Sequence, residues 1–87
     1  MNYNVKWHEE ALQDLKKLPK QMAKNIIDKV ESYLIKNPVS LGKALKGLFS
    51  GLYRYRYSDY RIIYSIDETY SEIMILSIGH RKDVYKL

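Results

Sequence analysis

The sequence predicts an α+β domain of order β-α-α-β-β-β, with an antiparallel-dominated sheet and two helices packed on one face. Two observations carry this. Apolar residues recur at helical spacing only between about residues 8 and 37, whereas strand alternation occupies a short segment before them and nearly everything after residue 51. Strands segregated from a block of helices are the pattern of an α+β fold.

Tyr3, Val5 and Trp7 alternate with Asn4 and Lys6, giving a short first strand with one apolar face. The helix that follows, about His8 to Leu18, places Ala11, Leu12, Leu15 and Leu18 on one stripe. Pro19 breaks that stripe and suits the start of a second helix, where Met22, Ile26, Val30, Tyr33 and Leu34 recur up to Asn37-Pro38. A linker from Asn37 to Gly51, with Pro38, Gly42, Gly47 and Gly51, is too short and too apolar to separate two domains. Residues 1–87 are therefore expected to form a single domain.

Three strands follow, about Leu52 to Ser58, Tyr60 to Asp67 and Ser71 to Gly79, with Asp67-Glu68-Thr69-Tyr70 as the second turn. The last is almost continuously apolar through Ile73, Met74, Ile75, Leu76 and Ile78, which predicts a central strand buried on both faces. A basic tail, His80-Arg-Lys-Asp-Val-Tyr-Lys-Leu87, ends the chain.

A chain of 87 residues buries roughly 60 to 65% of its unfolded surface, so one small core and no large enclosed pocket are expected. There is no cysteine, which excludes disulfides, thiolate catalysis and zinc-cysteine sites and suits a cytoplasmic location. No apolar run approaches the roughly 20 residues that span a bilayer, and the start is not a signal peptide. His8 precedes Glu9 and Glu10 without a second histidine at helical spacing, so neither a metal site nor another cofactor is expected. Gly42, Gly47 and Gly51 do not form a phosphate-binding loop.

The net charge of +5 is unevenly distributed. The first 42 residues mix seven lysines with five carboxylates, the look of ordinary solvated helix surface. From Lys43 to Arg61 there are five cations and one anion, Asp59, a local balance of +4. If the hairpin turns at Ser58 and Asp59, Arg56 lies opposite Arg61 and Arg54 opposite Ile63, all on one face. Like charges opposed across an antiparallel pair repel, so the arrangement costs stability and suits a bound polyanion. Tyr53, Tyr55, Tyr57, Tyr60 and Tyr64 fall on the other face and read as core.

These residues suit one familiar hydrolytic chemistry: neutralising a phosphoryl transition state while a second group moves a proton. RNA brings its own nucleophile in the 2′-OH. Arg54, Arg56, Arg61 and Arg81 would hold and neutralise the phosphate, with Lys46 and Lys82 as further cations. Arginine stays protonated and cannot be the base, which leaves Tyr85 and His80, with Lys46 and Lys82 as exposed alternatives.

The segment Leu45-Lys-Gly-Leu-Phe-Ser-Gly-Leu-Tyr-Arg-Tyr-Arg-Tyr-Ser-Asp-Tyr-Arg-Ile-Ile-Tyr64 and the ending Ile78-Gly-His-Arg-Lys-Asp-Val-Tyr85 resemble the RelE branch of the RelE/ParE superfamily of type II toxins. The likeness covers nearly the whole chain. It implies a ribosome-dependent endoribonuclease that cuts mRNA in the A site without a metal, with the ribosome, the mRNA and a cognate antitoxin as partners and no direct DNA binding by the toxin. It maps Arg54 and Arg56 onto the basic second-strand positions, Arg61 onto the third-strand arginine, and Arg81 and Tyr85 onto the catalytic tail. Best-known members carry lysines at the two second-strand positions, one of them considered a proton acceptor; both are arginine here, which shifts that role to Tyr85 or His80. The alternatives are a ParE-like toxin that inhibits DNA gyrase without nuclease activity, and an RNA-binding module that has lost its chemistry.

Overall fold

The computed structural model describes residues 2–80. Five strands form one sheet in the order β1-β5-β4-β3-β2: β1 (Asn4–Trp7), β2 (Lys43–Ala44), β3 (Tyr53–Tyr57), β4 (Tyr60–Asp67) and β5 (Glu72–His80). Only the β1–β5 pairing is parallel, with Asn4 aligned to Glu72 and Trp7 to Ile75. The expected α+β order is present, with an additional two-residue edge strand.

Two helices, α1 (Glu9–Lys16) and α2 (Lys20–Ser32), cover one face. His8 caps α1 by accepting the Glu10 N–H on Nδ1 at 3.1 Å, and Glu9 and Glu10 oppose the helix dipole in the first turn. Trp7 Nε1 donates to Glu31 at 3.4 Å, which sets the end of α2 beside the start of α1, so the helices run antiparallel. Ala11, Leu15, Ile26, Val30 and Leu34 from this layer meet Ile62, Tyr64, Ile73, Ile75 and Ile78 from the sheet, and together they form the core. At roughly 1.5–3 kcal/mol for each fully buried aliphatic side chain, this cluster is what holds the helices to the sheet.

The structure revises three expectations. The second helix ends at Ser32 rather than near Asn37, because Tyr33 leaves helical geometry (φ −126°, ψ −56°) and Leu34–Lys36 form a 3₁₀ turn. That turn brings the Ile35 carbonyl to the Tyr3 N–H at 2.9 Å, joining the helical layer to the start of β1. The stretch from 37 to 51 is not a plain linker: it holds a short helix α3 (Pro38–Leu41), capped by Asn37, then β2 and a 3₁₀ turn at Gly47–Phe49. Finally, β5 does lie inside the sheet, between β1 and β4, but it is buried on one face only. Ile73, Ile75 and Ile78 are buried, whereas Met74, on the side without helices, and Leu76 are half-buried.

The positions 73, 75 and 78 break a period of two. The cause is a register shift: Ile63 faces Ser77 whereas Tyr64 faces Ile75, so Leu76 is an extra residue, a β-bulge. Beyond it every β5 side chain changes face, which turns Ile78 and His80 toward the helices and Gly79 away from them. The end of β5 extends past β1, and there Asp14 of α1 accepts the Ile78 N–H at 2.9 Å, so a helix side chain stands in for the missing strand partner.

Candidate functional site

The hairpin β3–β4 has the expected register, with Tyr57 opposite Tyr60, Arg56 opposite Arg61 and Arg54 opposite Ile63. The loop is the two residues Ser58 and Asp59, and Ser58 takes the positive φ of 57° that a tight hairpin turn asks of one of its residues. Arg56 Nε donates to the Ser58 carbonyl at 3.2 Å and so draws the turn toward the arginine face.

This face carries no helix. Along it lie Arg54 and Arg56 from β3, Arg61, Ile63 and Ser65 from β4, and Ser77 and Gly79 from β5. Ile63 is buried, with 6% of its surface exposed, and so forms an apolar floor among the cations. Small residues at Ser77 and Gly79 leave the strip beside Arg61 low. Arg61 itself is only partly exposed, and its Nε and Nη1 are enclosed without a hydrogen-bond partner among the described residues. Buried guanidinium donors without an acceptor are costly, and an anion bound against them would relieve that cost.

One cation absent from the sequence-based set joins this face. β2 pairs Lys43 directly with Arg54, extending the row Arg54–Ile63 to the sheet edge. The register of β2 depends on Tyr64, which is fully buried, stacks on Tyr53 with centroids 5.7 Å apart, and donates its hydroxyl to the Pro38 carbonyl at 2.6 Å. Gly42, between α3 and β2, passes so close that a Cβ there would sit 1.7 Å from the Tyr64 hydroxyl oxygen and 3.0 Å from the Arg54 carbonyl. Lys46 lies just beyond β2 and is exposed.

The structure does not bring His80 to the arginines. It pairs with Tyr60, their rings meet edge-on at 5.9 Å, and both side chains are on the helix side of the sheet. Arg81, Lys82 and Tyr85 lie outside the described residues. The hairpin tyrosines fill the helix side as expected. Burial pushes the hydroxyls of Tyr64 and Tyr55 up from the ordinary phenol value, with neighbouring tyrosines adding to it, so both stay protonated and neither is a proton acceptor at neutral pH. Among the described residues no cluster of histidine and carboxylate side chains could hold a metal ion, and no helix is long and apolar enough to cross a membrane.

Comparison with known proteins supports the same reading of the fold. Toxin RelE of Mycobacterium tuberculosis is 34% identical over 98% of this chain and 88% of its own length; Toxin RelG of the same organism is 31% identical over 99% of each. Among solved structures, the toxin–antitoxin complex RelBE2 of M. tuberculosis contains a chain that superposes with a TM-score of 0.89 at 30% identity, covering 93% of this chain and all of that one. A free-state mutant of the E. coli toxin RelE shares the fold at a TM-score of 0.76 and 19% identity, over 97% of this chain and 88% of its own. The family model of the ParE toxin of the type II parDE system matches residues 5–85, so that nearly the whole chain is accounted for and it belongs to the RelE/ParE superfamily of type II toxins.

Proposed function

We propose that this toxin is a ribosome-dependent endoribonuclease that cleaves mRNA in the A site and is held inactive by a cognate antitoxin. The observation that carries the proposal is Arg61, whose enclosed Nε and Nη1 have no hydrogen-bond partner among the described residues, beside Arg54, Arg56 and Lys43 on a sheet face left open by the helices. Relatives named RelE and RelG, and a similar chain solved within a toxin–antitoxin complex, support the choice of branch and of partner.

In this reading the 2′-oxygen of the message attacks the adjacent phosphorus, the 5′-oxygen leaves, and a 2′,3′-cyclic phosphate forms. The 2′-OH proton passes to a base and the departing oxygen takes up a proton, so no metal is required. Arg61 neutralises the charge developing on the phosphoryl oxygens, while Arg54, Arg56 and Lys43 hold flanking phosphates. The proton acceptor is assigned to Tyr85, with Arg81 beside the phosphate, on the family resemblance of the tail. His80, turned to the other side of the sheet, is the weaker candidate.

Translating ribosomes with a defined mRNA should yield message cut in the A site. Tyr85→Phe should remove the pH dependence of the rate that His80→Gln leaves in place. Intact message at saturating protein would refute the proposal. The other reading is the ParE-like alternative drawn from the sequence resemblance, inhibition of DNA gyrase, and blocked supercoiling by purified gyrase without RNA cleavage would establish it.

A further inference from the structure

Of the seven lysines in the first 42 residues, four gather at one end of the helical layer, while four of the five carboxylates lie at the other end together with Lys29. Because α1 and α2 run antiparallel, Glu9 and Glu10 at the start of α1 lie at the same end of the helical layer as Asp28 and Glu31 near the end of α2. The opposite end, the turn between the helices, carries Lys16, Lys17, Lys20 and Lys24. All four are exposed, and no carboxylate occurs between residues 16 and 25. The nearest one, Asp14, is engaged with the Ile78 N–H.

The same hydrogen bond locates this turn. The His8 N–H bonds the Ile75 carbonyl at 2.8 Å and Asp14 reaches Ile78, so α1 travels along β5 toward His80. Its last turn therefore arrives where β5 ends, and that is also where Gly79 faces Arg61 and Arg61 faces Arg56. The lysines belong to the helical layer and the arginines to the opposite sheet face, yet both border one end of the molecule.

We propose that the α1–α2 turn is a second phosphate-backbone contact, which grips folded RNA of the ribosome while the arginine face holds the message. The proposal rests on the RNA-cleaving reading above and adds a partner surface to it. Four exposed cations on adjacent helix turns, none in an ion pair among the described residues, suit a polyanion, and their continuity with the arginine end favours the same class of partner. A short single strand lying on the open sheet face cannot also follow the helical layer. A folded RNA surface that meets the end of the molecule can touch both.

The test uses the full chain with Lys16, Lys17, Lys20 and Lys24 all replaced by glutamine, which keeps helix propensity and removes charge. Unchanged circular dichroism and melting temperature verify the fold. Affinity for purified 70S ribosomes should fall about tenfold or more, and the slope of log affinity against log salt should drop by about two units or more, whereas binding to a short single-stranded RNA oligonucleotide should change less than about twofold. An unchanged ribosome affinity and slope would overturn the proposal, as would an equal loss on the oligonucleotide. Intact ribosome binding with lost binding to phosphatidylserine vesicles would assign the turn to a membrane surface and overturn it too. Wild-type protein that shows no salt-dependent ribosome binding would remove the functional reading itself, whereas wild-type binding undiminished by the substitutions removes this surface alone.

Discussion

Replacing Gly42 with alanine should disable the edge strand that presents Lys43. The added Cβ would lie 1.7 Å from the Tyr64 hydroxyl oxygen and 2.8 Å from its Cζ. That ring cannot swing away, because it is fully buried and stacked on Tyr53. The backbone of β2 must therefore move, and the Tyr64–Pro38 hydrogen bond breaks with it. Overpacking costs about 1–3 kcal/mol and leaving the Pro38 carbonyl unsatisfied about 1–3 more, so Gly42→Ala should cost about 2–6 kcal/mol, against the roughly 5–15 typical of a whole domain. Tyr64→Phe removes only the hydroxyl and should cost about 1–3 kcal/mol. The double variant should cost little more than Gly42→Ala alone, since the closest clash and the lost bond share one oxygen. Urea unfolding followed by circular dichroism measures all three, and the cycle should give a coupling of about 1–3 kcal/mol. Additivity within about 0.5 kcal/mol, or a Gly42→Ala cost below about 1 kcal/mol, would refute the packing argument.

Four further outcomes are expected. Arg61→Met should raise the melting temperature, because two enclosed nitrogens without acceptors among the described residues disappear, while lowering A-site cleavage by about a hundredfold or more; a lower melting temperature would contradict the first part. Arg56→Thr should relieve the repulsion with Arg61, stabilising the fold by about 0.2–1 kcal/mol less the exposed bond to Ser58, and should reduce the salt slope of RNA binding by about one unit; unchanged salt dependence would exclude Arg56 from phosphate contact. Asp14→Ala should cost about 1.5–3 kcal/mol in urea unfolding by leaving the Ile78 N–H without its charged acceptor, and amide exchange at Ile78 should accelerate. Finally, the folded state keeps the Tyr64 proton well above pH 10, where the unfolded phenol ionises, so its contribution is complete below pH 10 and declines above it. Wild type should therefore lose stability at alkaline pH more steeply than Tyr64→Phe, by about 1.4 kcal/mol per pH unit, and equal slopes would refute this.

The arginine face was legible in the sequence because a two-residue turn carries an unbroken alternation across both strands, so parity alone opposes Arg56 to Arg61. The helix stripes were legible for a related reason: Ala11, Leu15, Ile26 and Val30 recur at spacings that only a helix turns to one side. Lys43 was not legible. A two-residue strand has no period, and its partner Arg54 is found only by long-range pairing. The sequence set His80 at the end of the last strand near the hairpin but gave no face for it: Leu76 adds one residue to β5 and reverses every face after it, which turns His80 to the helix side. The lysines of the helical turn follow one another in the chain without an intervening carboxylate, but their place beside the arginine end was hidden, because it is set by the course of α1 along β5.

The parallel pairing of β1 with β5 bears on how the toxin is made. Asn4 to Trp7 are made well before their partners Glu72 to Ile75, which come from the far end of the described residues. Until those residues leave the exit tunnel, β1 has no neighbouring strand, and Leu15, Ile26 and Val30 lack the Ile73, Ile75 and Ile78 against which they pack. A chain that has not yet placed β5 thus carries the arginine hairpin without the strand that joins it to β1. Closure of the sheet therefore awaits β5, a non-local pairing of the kind that slows folding.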